Sequence, residues 1–267
     1  PDTDLYRILI KLLDKETYVS PVEISQPIIS ILKLDPPLQR AFEKHHTGEL
    51  IHALQETISN LSDLPLLLKF MKVCPCSDLE IEGLLKDIRS YLLFSVVENI
   101  GMTNVMRFQS ALALQCFTNE YIYGQTDEEF TALKKLESVI KRAFSSGMQP
   151  SSQSILCLAS YKALSEYEWC KLLKRNSDID EVYTRQILEP REEARLISDI
   201  HALQEISNKV SSRVREQYEA NPYPRWVNLG LGKEPKTITE LIKDMNLKLY
   251  DNEILGVRDP NILIAGC

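Results

Sequence analysis

The chain has 267 residues, 44% hydrophobic and 26% charged, a profile that buries a sizeable core and excludes an intrinsically disordered polypeptide. Its formal net charge of −7 argues against general nucleic-acid binding, which rests on an excess of Lys and Arg. No run of about 18 apolar residues offers a membrane span, and the opening PDTDLYRILIKLL lacks the positive n-region and cleavage site of a secretory leader, so a cytoplasmic location is expected.

With only 9 glycines among many Leu, Ile, Glu, Lys and Ala, helix outweighs turn-rich β structure. Apolar spacing predicts helices over 4–14, 37–45, 49–60 and 64–73, with Pro21, Pro27, Pro36, Pro37 and Pro75 as punctuation between them. The clearest helix runs from Ser77 to Asn99. Ser77 and Glu80 have capping-box spacing, Ile81, Leu84, Leu85, Ile88, Leu92 and Val96 form one apolar stripe, and Asn99 and Gly101 supply the stop. The next segment, Val105 to Tyr123, is apolar nearly all round, with Phe108, Leu112, Leu114, Phe117 and Ile122 on different faces, which places it at the centre of the domain.

A second capping box, Thr126 with Glu129, opens a helix with Phe130, Leu133, Leu136, Ile140 and Phe144 inward. Ser145, Ser146, Gly147 and Pro150 end it, and Ser151 or Ser152 caps a helix reaching Leu164. Weaker helices follow at 166–174 and 180–188, then, with Pro190 as punctuation, a long one from Glu192 to Ala220 with a break near Ser207. No fixed period of roughly 34 to 45 residues recurs, so the expectation is an irregular all-α domain rather than a helical repeat array.

Candidate sites in this helical part have ordinary structural explanations. Cys74–Pro75–Cys76 is the one close cysteine pair, but a zinc site needs two further ligands at comparable spacing, so no metal is expected. Cys116 and Cys157 lie in apolar patterns, and the six scattered cysteines read as reduced thiols. Thr47–Gly48 separates His45 and His46 from His52, leaving three surface histidines. Asp127, Glu128 and Glu129, like Glu189, Glu192 and Glu193, fall at helix starts, where negative charge complements the helix dipole. Tyr161, Tyr167 and Trp169 have the spacing of core or rim packing. No nucleophile elbow, phosphate-binding glycine loop or HExxH helix occurs.

The last fifty residues differ in character. After Ala220 the chain reads Asn221–Pro222–Tyr223–Pro224–Arg225–Trp226. Asn221 precedes a proline and is pushed out of the helical region, while two prolines fix φ at alternate positions. Tyr218, Tyr223, Arg225 and Trp226 then suit either a lid over a cleft or a stiff connector whose aromatics pack on the helices. Thr237 and Glu240 form a third capping box before Ile238, Leu241, Ile242 and Met245. Asp259–Pro260–Asn261 leads into Ile262–Leu263–Ile264–Ala265–Gly266–Cys267, a short apolar run that reads as a buried parallel strand. The neighbours such a strand requires are not in the chain, so the sequence reads as cut at the first strand of an α/β domain.

The pair VREQYEANPYPRW (214–226) and PNILIAGC (260–267) closely resembles a bacterial family of large S-adenosylmethionine-dependent methyltransferases, and QCFTNEYIY (115–123) is similar to that family's helical region. The resemblance implies three parts: a helical N-terminal domain at 1–213, a helix end and rigid connector at 214–236, and the start of a Rossmann-like class I methyltransferase domain at 237–267. It further implies that Ala265, Gly266 and Cys267 lead the loop around S-adenosylmethionine, a place where glycine lets backbone approach the ligand. Tyr218, Asn221, Tyr223, Arg225 and Trp226 become lid or substrate-contacting residues. The acidic residue common two positions before the first glycine is here Ile264. Catalytic residues are expected beyond Cys267, so this chain would position an unidentified methyl acceptor rather than catalyse alone. The alternative is a helical protein–protein interaction module with a degenerate methyltransferase-like extension.

Overall fold

Several prolines that look like punctuation in the sequence start helices instead. In the computed structural model, which describes residues 3–14, 19–197, 208–220, 227, 236–244, 248–250 and 252–257, Pro27 lies in the first turn of a helix that the sequence reading missed altogether, α2 (Ser25–Leu32). Pro36 and Pro37 open α3 (Pro36–His46), and Pro65 opens α5 (Pro65–Val73). First-turn N–H groups have no intrahelical partner, so a residue without one costs nothing there and its fixed φ is already helical. The remaining elements of the first half are α1 (Thr3–Leu12), α4 (Leu54–Ser62), α6 (Leu79–Val97) and α7 (Met106–Thr118). The second half adds α8 (Asp127–Ser145), α9 (Ser152–Ala159), α10 (Asp180–Tyr183), α11 (Glu189–Ile197), α12 (Lys209–Ala220) and α13 (Ile238–Asp244). Among the described residues the protein is all-α, without a strand.

The cap of α6 differs from the expectation. Asp78 is the N-cap: its carboxylate accepts from the backbone N–H of Glu80 at 3.2 Å and of Ile81 at 3.1 Å, while also receiving Lys33 Nζ at 2.7 Å. Replacing Asp78 with Ala is expected to lower the unfolding free energy by about 1–2 kcal/mol in urea titration. Ser77→Ala should change it by less than about 0.5 kcal/mol, which separates the two cap assignments.

α6 and α7 form the spine of the first compact unit, residues 1–230. α7 packs on α4 and α5 on one side and on α9 and α10 on the other, while α6 packs on α3, α8 and α9. Two apolar clusters result. One joins α1–α5 to Ile81, Leu84, Leu85, Ile88 and Leu92 of α6 and to Phe108, Leu112 and Cys116 of α7. The other gathers Leu93, Ala113 and Leu114 with α8, α9 and the segment 161–187. α7 is thus buried on nearly every face, as its sequence predicts.

That helix ends earlier than its apolar pattern suggests. Glu120 and Tyr121 adopt φ of +57° and +55°, and the N–H of Tyr121 returns to the Cys116 carbonyl at 2.8 Å, closing a Schellman-type turn without glycine. Ile122, expected inside, is 67% exposed. Asn99 ends α6 in the same way at φ +56°, as expected of an Asn stop. Past α9, the expected helix to Leu164 gives way to two short 3₁₀ turns, Leu164–Glu166 and Glu168–Lys171. From Asp180 the chain is continuously helical, with a π-turn at Thr184–Leu188 ahead of Pro190, an interior proline that cannot donate to the α-helical ladder.

The second unit, residues 231–267, is described only at α13 and at a 3₁₀ turn, Glu253–Gly256. The predicted capping box forms there: Thr237 N–H donates to Glu240 at 2.7 Å and Glu240 N–H to Thr237 Oγ1 at 3.3 Å. The predicted strand 262–267 lies outside the described residues.

Candidate functional site

α12 carries the first half of the connector motif. Asn208 caps it, accepting from the N–H of Val210 at 2.8 Å and of Ser211 at 3.2 Å, which fits the predicted break near Ser207. Tyr218 on this helix is 64% exposed and available to a ligand or a second surface. Asn221, Tyr223, Arg225 and Trp226, and likewise Ala265, Gly266 and Cys267, lie outside the described residues. Val227, the residue that follows the connector motif, is half-buried. It lines a cleft of about 400 Å³ with Leu13, Lys69, Lys72, Glu181 and Arg185. The cations of that cleft are engaged by protein groups. Lys72 Nζ meets Glu181 at 2.6 Å, Lys69 pairs with Asp14, and Arg185 donates to the Lys72 carbonyl and, at 3.0 Å, to Thr118 Oγ1. With its cations occupied, the cleft is poorly suited to capturing an anion.

A second assembly sits deeper, where α6, α8 and the turn after α7 converge. Arg89 of α6 is 1% exposed, although it stands in the apolar stripe four residues after Leu85 and three before Leu92. Its guanidinium donates to the Gly124 carbonyl at 2.8 Å and, at a longer 3.4 Å, to the Tyr123 carbonyl. It stacks over the Tyr161 ring at 4.1 Å and lies 3.7 Å from the carboxylate of Glu129. Glu129 completes the capping box by accepting from Thr126 N–H at 2.8 Å, and takes the Tyr161 hydroxyl at 2.6 Å. Burial raises the Tyr161 phenol well above its ordinary range, so the hydroxyl keeps the proton that it donates to Glu129. The bonds from Arg89 hold residues 123 and 124, directly after the strained pair Glu120 and Tyr121. QCFTNEYIY is therefore a helix end and a left-handed turn tied down by a buried cation.

Sequence reasoning found Glu129 only as a cap and missed Arg89, whose one advance mark was a charge on an otherwise apolar stripe. It also missed Gln186 of the π-turn. This fully buried amide donates to the Ala113 and Ala159 carbonyls at 3.2 and 3.0 Å and accepts from Leu164 N–H at 3.1 Å, joining α7, α9 and the 3₁₀ turns.

The other candidates are structural. Cys74 and Cys76 are buried, and Gln115 clasps their turn: with its nitrogen facing the carbonyls, it donates to Met71 and Cys74 at 2.9 and 3.0 Å and accepts from Cys76 N–H at 2.9 Å. Burial raises the thiols of Cys74, Cys76, Cys116 and Cys157, which removes them as nucleophiles. Among the described residues no three His, Cys, Asp or Glu side chains converge on a metal position. His45 is not a plain surface histidine, since its Nε2 lies 3.0 Å from Asp87. Tyr167 and Trp169 stack at 4.7 Å, with Phe144 over Trp169 at 5.5 Å, the core packing that was expected. Phe130, expected inside, is 52% exposed.

No family model, curated protein or solved structure matches the chain. Among the described residues no helix is long and apolar enough to cross a membrane. These residues form a helical body in which Val227 lines a cleft and α12 carries an exposed tyrosine.

Proposed function

We propose that this chain is the helical, acceptor-positioning part of an S-adenosylmethionine-dependent methyltransferase. In this reading Tyr218, Asn221, Tyr223, Arg225 and Trp226 form a lid over the reaction cleft, and Ala265, Gly266 and Cys267 begin the cofactor loop. The run VREQYEANPYPRW with PNILIAGC carries the proposal. Three features of the fold support it. α12 presents Tyr218 to solvent on the segment leading into the connector. Val227, the residue after the Asn221–Trp226 motif, is half-buried and lines a cleft of the helical body. The thiols that could act as nucleophiles are protonated and buried, which suits a body that binds while chemistry occurs elsewhere. Arg225 would pair with a carboxylate or phosphate of the acceptor, for which a planar guanidinium is the fitting group.

Calorimetric titration of the full-length polypeptide with S-adenosylmethionine tests this reading. Binding is expected in the wild type, with Tyr223→Ala and Arg225→Ala each reducing turnover at least about tenfold, the loss of one well-placed contact. Unchanged affinity and turnover in both variants would remove the lid. Absence of cofactor binding by the wild type would leave the interaction-module alternative.

A further inference from the structure

α8 carries an unbalanced face. Phe130, Lys134, Ser138 and Arg142 recur every four residues, and Thr131, Lys135 and Val139 form the adjoining row, so all seven share one side of the helix. Together with Val96, Val97 and Asn99 at the end of α6, they line a groove of about 730 Å³. Its charge is one-sided. Lys134, Lys135 and Arg142 are exposed, and among the described residues none lies within ion-pair distance of a carboxylate, whereas the neighbouring Lys141 is matched to Glu137 at 2.8 Å. No lining residue is acidic, in a chain whose 38 Asp and Glu outnumber its 31 Lys and Arg. The floor is apolar: Phe130 is 52% and Val139 49% exposed, and Lys134 Nζ lies over the Phe130 ring at 4.1 Å.

We propose that this groove between α6 and α8 docks an acidic amphipathic helix of a partner protein. Carboxylates of the partner would lie against Lys134, Lys135 and Arg142, and an apolar side chain between Phe130 and Val139. A row of cations beside an exposed aromatic is the inverse of such a helix, whose apolar anchors and acidic residues recur at the same three- and four-residue spacing. Charge complementarity selects the occupant: three unmatched cations repel a basic segment and leave a neutral one without partners, while carboxylates gain at all three positions. Phe130 reads as core in the sequence because it follows the helical period. Its exposure makes sense if the partner completes its burial. The inference does not depend on methyl-transfer activity.

The test is fluorescence anisotropy of the intact protein with a labelled synthetic helix of Glu, Leu and Ala, with a Gln-for-Glu version as control. The acidic helix is expected to bind and the control to bind at least tenfold more weakly. Raising salt from 0.05 to 0.5 M should weaken binding about tenfold or more, because exposed ion pairs are screened. Lys134→Glu/Lys135→Glu/Arg142→Glu should reduce affinity at least tenfold, and Phe130→Ala severalfold, with circular dichroism verifying the fold. If the triple reversal fails to fold, Lys134→Gln/Lys135→Gln carries the same expectation at smaller size. Equal binding of the two helices, binding unchanged in the charge variants, or no binding at all would overturn the proposal. So would inorganic triphosphate binding at these residues without the helix, which would make this a phosphate site. A dimer in sedimentation that the triple reversal dissociates would also overturn it, because the occupant would then be a second copy of the chain.

Discussion

Replacing Arg89 with alanine is expected to lower the unfolding free energy of the protein by about 3–5 kcal/mol. The loss has three parts. Glu129, 2% exposed at its side chain, would keep a carboxylate without its compensating cation. The carbonyls of Tyr123 and Gly124 would lose their donor, and the stacking on Tyr161 would disappear. At the lower end of a typical total stability of about 5–15 kcal/mol, such a loss leaves a measurable unfolded population near ambient temperature. Glu129→Gln should cost less, about 1–3 kcal/mol, because an amide oxygen can still accept from Thr126 N–H and the guanidinium left without its counter-ion keeps the Tyr123 and Gly124 carbonyls and the Tyr161 ring. At 3.7 Å the Arg89–Glu129 pair is too long for a direct hydrogen bond, so its coupling is largely electrostatic. Urea titrations of Arg89→Met, Glu129→Gln and the double variant measure that coupling, and the double variant should lose less than the sum of the singles. A cost below about 1 kcal/mol for Arg89→Ala would show that the cation holds nothing in place.

What the sequence revealed and what it concealed divide along the range of the interactions. The boxes at Thr126–Glu129 and Thr237–Glu240 were legible because both partners lie within one turn, so local geometry suffices. The cap at Asp78 lies one residue beyond the one the spacing points to, since Ser77 and Asp78 are both suitable caps and Asp78 has in addition a distant partner, Lys33. Pro27 looks like a break in the sequence because a proline's effect depends on which turn it occupies, and that is unknown until the helix start is known. The end of α7 was invisible for a tertiary reason. Nothing in Asn119–Glu120–Tyr121 demands a left-handed backbone, and Arg89, thirty residues earlier in the chain, secures the segment immediately after it.

The candidate sites follow the same rule. The stiffness of Asn221–Pro222–Tyr223–Pro224 is a local property and can be read directly, but the surface it faces is not local. Phe130 obeyed helical periodicity and still points to solvent, because period alone does not say how wide a buried stripe is once Val96 and Val97 stop short of it. The cationic row beside it was overlooked since each Lys and Arg, taken singly, looks like ordinary solvated surface. The absence of acidic partners around it appears only in three dimensions.

Above about pH 9 the buried thiols should make this protein progressively unstable. Burial, the dominant cause in each case, raises Cys74 to about 11 and Cys116 and Cys157 to about 12 from an ordinary value of 9.0, and raises Cys76 well above that value. An acid whose folded pKa exceeds its unfolded one is favoured in the native state only while the unfolded chain would also keep its proton bound. The stabilisation is therefore complete below about pH 8 and falls as the pH rises from 9 toward 11–12, where the unfolded chain releases protons that the native state retains. Each such thiol contributes a slope of up to about 1.4 kcal/mol per pH unit in that window. Four of them together would remove most of a typical stability of about 5–15 kcal/mol within roughly two units. Cooperative alkaline unfolding is thus expected before pH 12, with thiolate absorbance rising together with the loss of helix rather than ahead of it. Unfolding in urea at pH 8 and 10.5 under reducing conditions checks the cause. Cys116→Ala and Cys157→Ala should each lower stability at pH 8 through lost packing, yet shrink the fall between the two pH values by about 2 kcal/mol. If stability is the same at both pH values in the wild type, these thiols are not held protonated by the fold, and Cys116 and Cys157 would have to be reconsidered as reactive groups.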